Sequence, residues 1–300
     1  MTSFTPPVVR SLVRCAVLSL ALFVVGCGGS TDPQDAESAG AASDSSVAPT
    51  PQESSAPGTA PVETTVPETV AVETSMPAAE TAHIRGTAYT FNTPDPISGA
   101  TIRVEELPDV SAVTGADGSY ELEVPYGSRV TAYIEAEGHH SIHVQTFVLD
   151  AEHDGAELDG VNFQTPADPI YDGLRALMTG ITGRDPFEDG CAIVTTVGDA
   201  RMVGMPFAEF IEFHPHGVEG AVARLEPEVV APIYFNDDVL PDPAQATSSI
   251  DGGVIWVNVP PGEYTLHAEK AGTEFVEVLV RCEQDWVVNA NPVWGLHAIP

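Results

Sequence analysis

The chain is predicted to be all-β: two tandem β-sandwiches with one short linking helix, following an N-terminal tether that has no fold of its own. Three observations predict this. Short segments alternate apolar and polar residues at period two, the mark of half-buried strands, with Gly, Pro and Asp between them. The same set of landmarks is written twice in the same order. The stretch before about position 82 is rich in Pro, Ser, Thr and Ala and too poor in clustered apolar residues to offset the entropy of ordering.

From His83 to Pro166 the alternating segments are "IRGTAYTF", "ATIRVEE", "SAVT", "SYELEV", "RVTAYIEA", "IHVQTFVL" and "VNFQ". In "SYELEV" the alternation turns Tyr120, Leu122 and Val124 inward and Glu121 and Glu123 to water. "GADG" before it predicts a hairpin turn, with Asp117 accepting local backbone bonds and Gly118 supplying positive φ. Pro125 ends the strand, and Gly127 turns the chain back.

The second copy occupies residues 183–300. "GATIRVE" at Gly99 to Glu105 returns as "GAVARLE" at Gly220 to Glu226, and "VPYG" returns as "VPPG" at Val259 to Gly262. The longer spacing in the second copy falls in "VVAPIYFNDDVLPDPAQATSS", an expanded loop. Between the copies, residues 167–182 predict the linking helix. Asp168 can cap it, Pro169 suits its first position, and Ile170, Leu174, Leu177, Met178 and Ile181 fall at helical spacing. That stripe is expected to lie on one sandwich or to wedge between both, in preference to lining a ligand site.

"PISGATIRVEE" followed by "TGADGSYELEVPYGSRVTAYIEAEGH" resembles the carboxypeptidase regulatory-like domain, over roughly residues 83–164. The resemblance implies a transthyretin-like, Ig-like β-sandwich. It also implies an accessory module attached to enzymes, transporters or surface proteins, with no catalytic residues to carry over. The second copy keeps Gly220-Ala221 and Pro260-Pro261-Gly262 but departs from the turn pattern in "SIDGGVIWVNV".

The N-terminal residues 1–26 read as an export signal. Arg10 and Arg14 precede the mostly apolar run Cys15 to Val25, whose eleven residues would span about 16 Å of helix, too short for a bilayer. Val24-Val25-Gly26-Cys27 resembles the bacterial lipoprotein box, which implies lipidation at Cys27. Residues 27–82 would then form an acidic tether of about 40 Å reach. A lipid-anchored position in the cell envelope, facing outside the cytoplasm, follows from that reading.

The formal net charge is −33, and removing the two signal arginines takes it to −35. With a single lysine, Lys270, and scattered arginines, no basic cluster exists to neutralise phosphates, so nucleic acid is excluded as a partner. The membrane partner is the lipid, and the other expected partner is an envelope protein or polysaccharide. With Cys15 leaving in the signal and Cys27 lipidated, Cys191 and Cys282 remain as an even pair that predicts a disulfide.

Candidate chemistry is sparse, and no cofactor is expected. "HHSIH" places His139, His140 and His143 close together, with His153 following, but residues 140 and 141 face opposite sides of a strand and no further ligand completes a set. "FHPHG" puts His214 and His216 on one face of a strand; Tyr234 and Tyr264 would complete a two-Tyr, two-His iron set, though their surroundings do not resemble a dioxygenase. Asn236, Asp237, Asp238 and Asp242 are hard oxygen ligands without the spacing of a calcium loop. Solvated loops are the default for all of these. Trp256, Trp286 and Trp294 could form a sugar-stacking platform, which makes carbohydrate binding the alternative to a non-enzymatic binding or structural role.

Overall fold

A computed structural model describes residues 81–290 and 293–300; the signal, Cys27 and the tether up to residue 80 lie outside the described residues. The elements follow in chain order as β1 Thr81–Thr90, β2 Thr101–Val104, β3 Ser111–Val113, β4 Ser119–Pro125, β5 Arg129–Glu135, β6 His143–Val148, β7 Glu157–Leu158 and β8 Phe163–Thr165. Helix α1 Asp168–Thr182 comes next, then β9 Cys191–Thr196, a 3₁₀ turn at Ala200–Met202 and a single helical turn, α2, at Phe207–Phe210. The chain closes with β10 Val222–Glu226, β11 Ile233–Phe235, β12 Pro241–Asp242, β13 Gly253–Val259, β14 Gly262–Glu269, β15 Val278–Cys282 and β16 Val287–Ala290.

The repeat in the sequence is a repeat in the pairing. In the first copy β1 pairs β4, β2 pairs β5 and β5 pairs β6, all antiparallel. In the second copy β9 pairs β13, β10 pairs β14 and β14 pairs β15, again antiparallel. Each copy also lays a late strand parallel to its first: β7 on β1, and β16 on β9. Two cores result. One is built on Ile84, Ile102, Leu122, Ile134, Phe147 and Phe163. The other holds Ile193, Val254, Trp256, Leu266, Val280 and the cysteine pair.

The two copies are joined edge to edge. β16 pairs parallel with β9 on one side and with β6 of the first copy on the other. One nine-stranded sheet therefore runs β12-β11-β13-β9-β16-β6-β5-β2-β3 through both copies, and the two smaller sheets cover it, β4-β1-β7 on one copy and β10-β14-β15 on the other. Pairing β16 on both sides removes two exposed sheet edges at once.

Three expectations are corrected. Gly127 does not turn the chain back into a hairpin: β4 and β5 lie in different sheets, as do β13 and β14, so Val-Pro-x-Gly is a corner where the chain changes sheet. "GADG" likewise links β3 and β4 across sheets, although Asp117 Oδ1 does accept from Ser119 N at 3.1 Å and Gly118 does sit at φ 75°. Period-two alternation with a turn reads the same whether the next strand pairs or crosses. Asp168 does not cap α1; Ala167 holds that position and makes no side-chain cap, while Gly183 ends the helix at φ 80°.

The helical stripe lies against residues of both copies, as expected, but it is not fully buried. Met178 is buried, but Ile170, Leu174 and Leu177 remain 50%, 39% and 42% exposed. Leu174, Leu177 and Met178 line an apolar cavity of about 150 Å³ between α1 and the outer face of the shared sheet, where Val194, Ile255 and Val287 form the floor. The stripe roofs this space without closing it into a core.

Candidate functional site

Alternation along the central strands creates the site. Ile193, Trp256 and Val288 turn into the second core, so Val194, Ile255 and Asn289 face outward. Beside the apolar cavity, the segment between β9 and β10 crosses this outer face and walls a cleft of about 510 Å³, which Glu212, His214, His216, Asp251 and Asn289 line together with Tyr89 and Phe210. Phe210, Met202, Tyr89 and Val293 form a small third core beneath that segment.

His214 and His216 are brought together there, with their Nδ1 atoms 3.1 Å apart. His216 Nδ1 also lies 3.3 Å from the Phe213 carbonyl oxygen. The backbone around His216 is anchored: Asp199 N donates to its carbonyl oxygen at 2.8 Å, and Gly217 N donates to the Ile250 carbonyl at 2.9 Å. Gly217 is packed so closely on the Asp251–Gly252 turn that a Cβ there would meet Gly252 N at 2.3 Å. That approach places Asp251 beside the pair, its Oδ2 accepting from Gly253 N at 3.1 Å. Burial lowers the pKa of His216, and the Asp251 charge offsets part of the effect.

The other histidine group is dispersed. His139 Nε2 lies 3.2 Å from the Thr90 hydroxyl, and its Nδ1 lies 3.0 Å from the Glu137 carbonyl. His140 stacks on Tyr171 of α1 at 3.4 Å between ring centroids. His143 is buried, with Nε2 2.8 Å from Glu105 and its ring stacked on Trp286 at 3.7 Å. His153 pairs with Asp150 at 2.7 Å. Among the described residues, no group of three or more His, Cys, Asp or Glu side chains is arranged to hold a metal ion.

The iron set does not assemble. The Tyr234 hydroxyl meets the backbone of Ala223, and the Tyr264 hydroxyl donates to the Pro260 carbonyl at 2.8 Å. In the acidic loop, Asn236 Oδ1 accepts from the backbone of Asp238 and Leu240, and Asp242 Oδ1 accepts from Ala244 N. Asp237 and Asp238 line a shallow depression with Glu219. The three tryptophans share no platform. Trp256 is fully buried in the second core, Trp286 is stacked on His143, and Trp294 Nε1 donates to the Asp159 carbonyl at 2.8 Å.

Cys191 and Cys282 are joined, with Cα atoms 5.8 Å apart. They sit on β9 and β15, strands of opposite sheets, so the bond staples the two layers of the second sandwich together. Among the described residues, no helix is long and apolar enough to cross a membrane. Asp251 and Glu212 carry no motif of their own. The close seating of Gly217 on the Asp251–Gly252 turn brings Asp251 to the cleft.

No family model matches the chain, and no curated protein matches it. Among solved structures, the Bacillus anthracis TIE protein aligns at 13% identity over 70% of this chain and 32% of its own, with a TM-score of 0.24. The shaft pilin SpaA from Lactobacillus rhamnosus GG aligns at 10% identity over 74% of this chain and 98% of its own, with a TM-score of 0.22. A minor pilin of Streptococcus agalactiae aligns at 10% identity over 73% and 97%, with a TM-score of 0.24. The chain spans about a third of the length of the first of these. At such TM-scores the likeness carries no argument about fold or function.

Proposed function

We infer that the chain is a non-enzymatic, lipid-anchored protein of the bacterial cell envelope. Its two joined β-sandwiches, of the carboxypeptidase regulatory-like kind, would be held out on an acidic tether for binding or structural support. The observation that carries this reading is the Cys191–Cys282 disulfide, because such bonds persist in oxidising, extracytoplasmic compartments. The export signal and the Cys27 box agree with it in sequence. The non-enzymatic part is supported by how the candidate side chains are used: His143, Tyr234 and Tyr264 are spent on buried hydrogen bonds and stacking. The contact would be with an envelope protein or polysaccharide; a polysaccharide would have to be held without Trp256.

Fractionation tests the anchor. Cys27→Ser is expected to block processing at that residue and to move the protein out of the membrane fraction, since a lipid chain contributes about 0.8 kcal/mol of membrane affinity per buried CH₂. A variant that stays membrane-bound and is processed normally overturns the reading.

A further inference from the structure

We propose that His214 and His216 chelate one divalent transition cation of borderline softness, Cu²⁺, Ni²⁺ or Zn²⁺, through their two Nδ1 atoms, leaving the remaining coordination positions open to the cleft. The first support is distance. Metal–nitrogen bonds of about 2.0–2.1 Å at square-planar or tetrahedral angles put two neighbouring nitrogens roughly 2.8–3.4 Å apart. The observed separation of 3.1 Å lies in that range.

The second support is the contrast with the rest of the chain. The sequence holds nine histidines, all within the described residues. His83, His143, His153 and His267 meet carboxylates. Only in the 214/216 pair does an imidazole nitrogen meet another imidazole nitrogen. Two neutral rings in that arrangement must share one proton between their Nδ1 atoms, and the alternative acceptor for it, the Phe213 carbonyl, is at a long 3.3 Å. A cation replaces that proton and satisfies both lone pairs.

The third support is the setting. Both rings line an open cleft, and His216 is pinned by backbone bonds on both sides, so the pair is pre-positioned. Glu212 and Asp251 line the same cleft but do not converge with the pair as a third ligand. The site would therefore be labile and exchangeable, and imidazole ligation favours borderline cations over Ca²⁺ or Mg²⁺.

Titration of the purified full chain with CuCl₂, NiCl₂ and ZnCl₂, with bound metal measured after dialysis, tests the proposal. One equivalent is expected, Cu²⁺ binding tightest. His214→Ala and His216→Ala should each weaken binding at least about ten-fold, while His140→Ala leaves it unchanged. Because a half-buried histidine variant can lose its fold, paramagnetic broadening by Cu²⁺ is read on the unaltered chain as well. Broadening centred on residues 212–217 and Asp251 supports the site. No bound metal, broadening centred elsewhere, or unchanged affinity in folded variants at both positions overturns it.

Discussion

His143 opens β6 with Tyr133 and Trp286 stacked against its ring and Glu105 at its Nε2. Burial, aided by the positive charge of Arg281, pushes its pKa down to about 3, and the same burial raises that of Glu105. The unfolded chain titrates this ring near 6.5, so below that pH the unfolded state takes up a proton that the folded state refuses. The stability it protects is complete above about pH 6.5 and drains away at up to about 1.4 kcal/mol per pH unit as the pH falls toward 3. His140, His216 and His297 are shifted the same way, so a difference measurement is needed to isolate one ring. Urea unfolding at pH 7 and pH 5 should show the wild type losing up to about 2 kcal/mol more than His143→Gln. An equal loss in both proteins would mean that His143 is already protonated in the fold. Nothing in "HHSIH" distinguishes this residue from its neighbours; Trp286 and Arg281 lie far along the chain and are brought to it only by folding.

Helix α1 shows what periodicity can and cannot say about an element. The spacing of Ile170, Leu174, Leu177 and Met178 placed a helix between the copies, and a helix is there. What the stripe touches was not legible, because the depth of a helix on a sheet is set by the side chains beneath it. Phe187 and Tyr171 prop the helix near Arg175, whose guanidinium carbon stands 5.3 Å from the centre of the Phe187 ring. The exposed part of the stripe should accordingly tolerate polarity. Ile170→Gln is expected to change unfolding free energy by no more than about 0.5 kcal/mol, as for an ordinary surface site. Met178→Gln should cost more than about 1 kcal/mol by burying an amide beside apolar groups. Thermal or urea unfolding of the two variants reads the difference directly. Equal costs would show that the stripe is buried in solution.

At the scale of the molecule, β16 is the joint. Val288 is partnered by Ile193 on one side and His143 on the other, so a four-residue strand from the end of the chain carries the link between two sandwiches. The continuous sheet predicts that both copies unfold together. Val288→Pro removes a ladder donor from a central strand and inserts a ring where the neighbouring backbone lies. Calorimetry should show one transition in the wild type. In the variant two separated transitions should appear, the second sandwich being held by its disulfide and the first melting on its own terms. A single transition at a lowered temperature would instead show that the copies couple through other contacts.

The sequence by itself determined the all-β class, the inward set Tyr120, Leu122 and Val124, the doubling of the landmarks, the helix between the copies and the pairing of Cys191 with Cys282. These are properties of local alternation, turn chemistry and cysteine count, which act within a few residues or by simple elimination. Only the tertiary structure decided that Val-Pro-x-Gly changes sheets, that the cysteines staple two layers, that Trp256 is core and that β16 fuses the copies. The same holds for the cleft, which His214, His216 and Asp251 line together and where Gly217 leaves room for Gly252. Each of these depends on which distant strand becomes a neighbour. That choice is made by the packing of whole faces, for which period-two alternation records a side but not a partner.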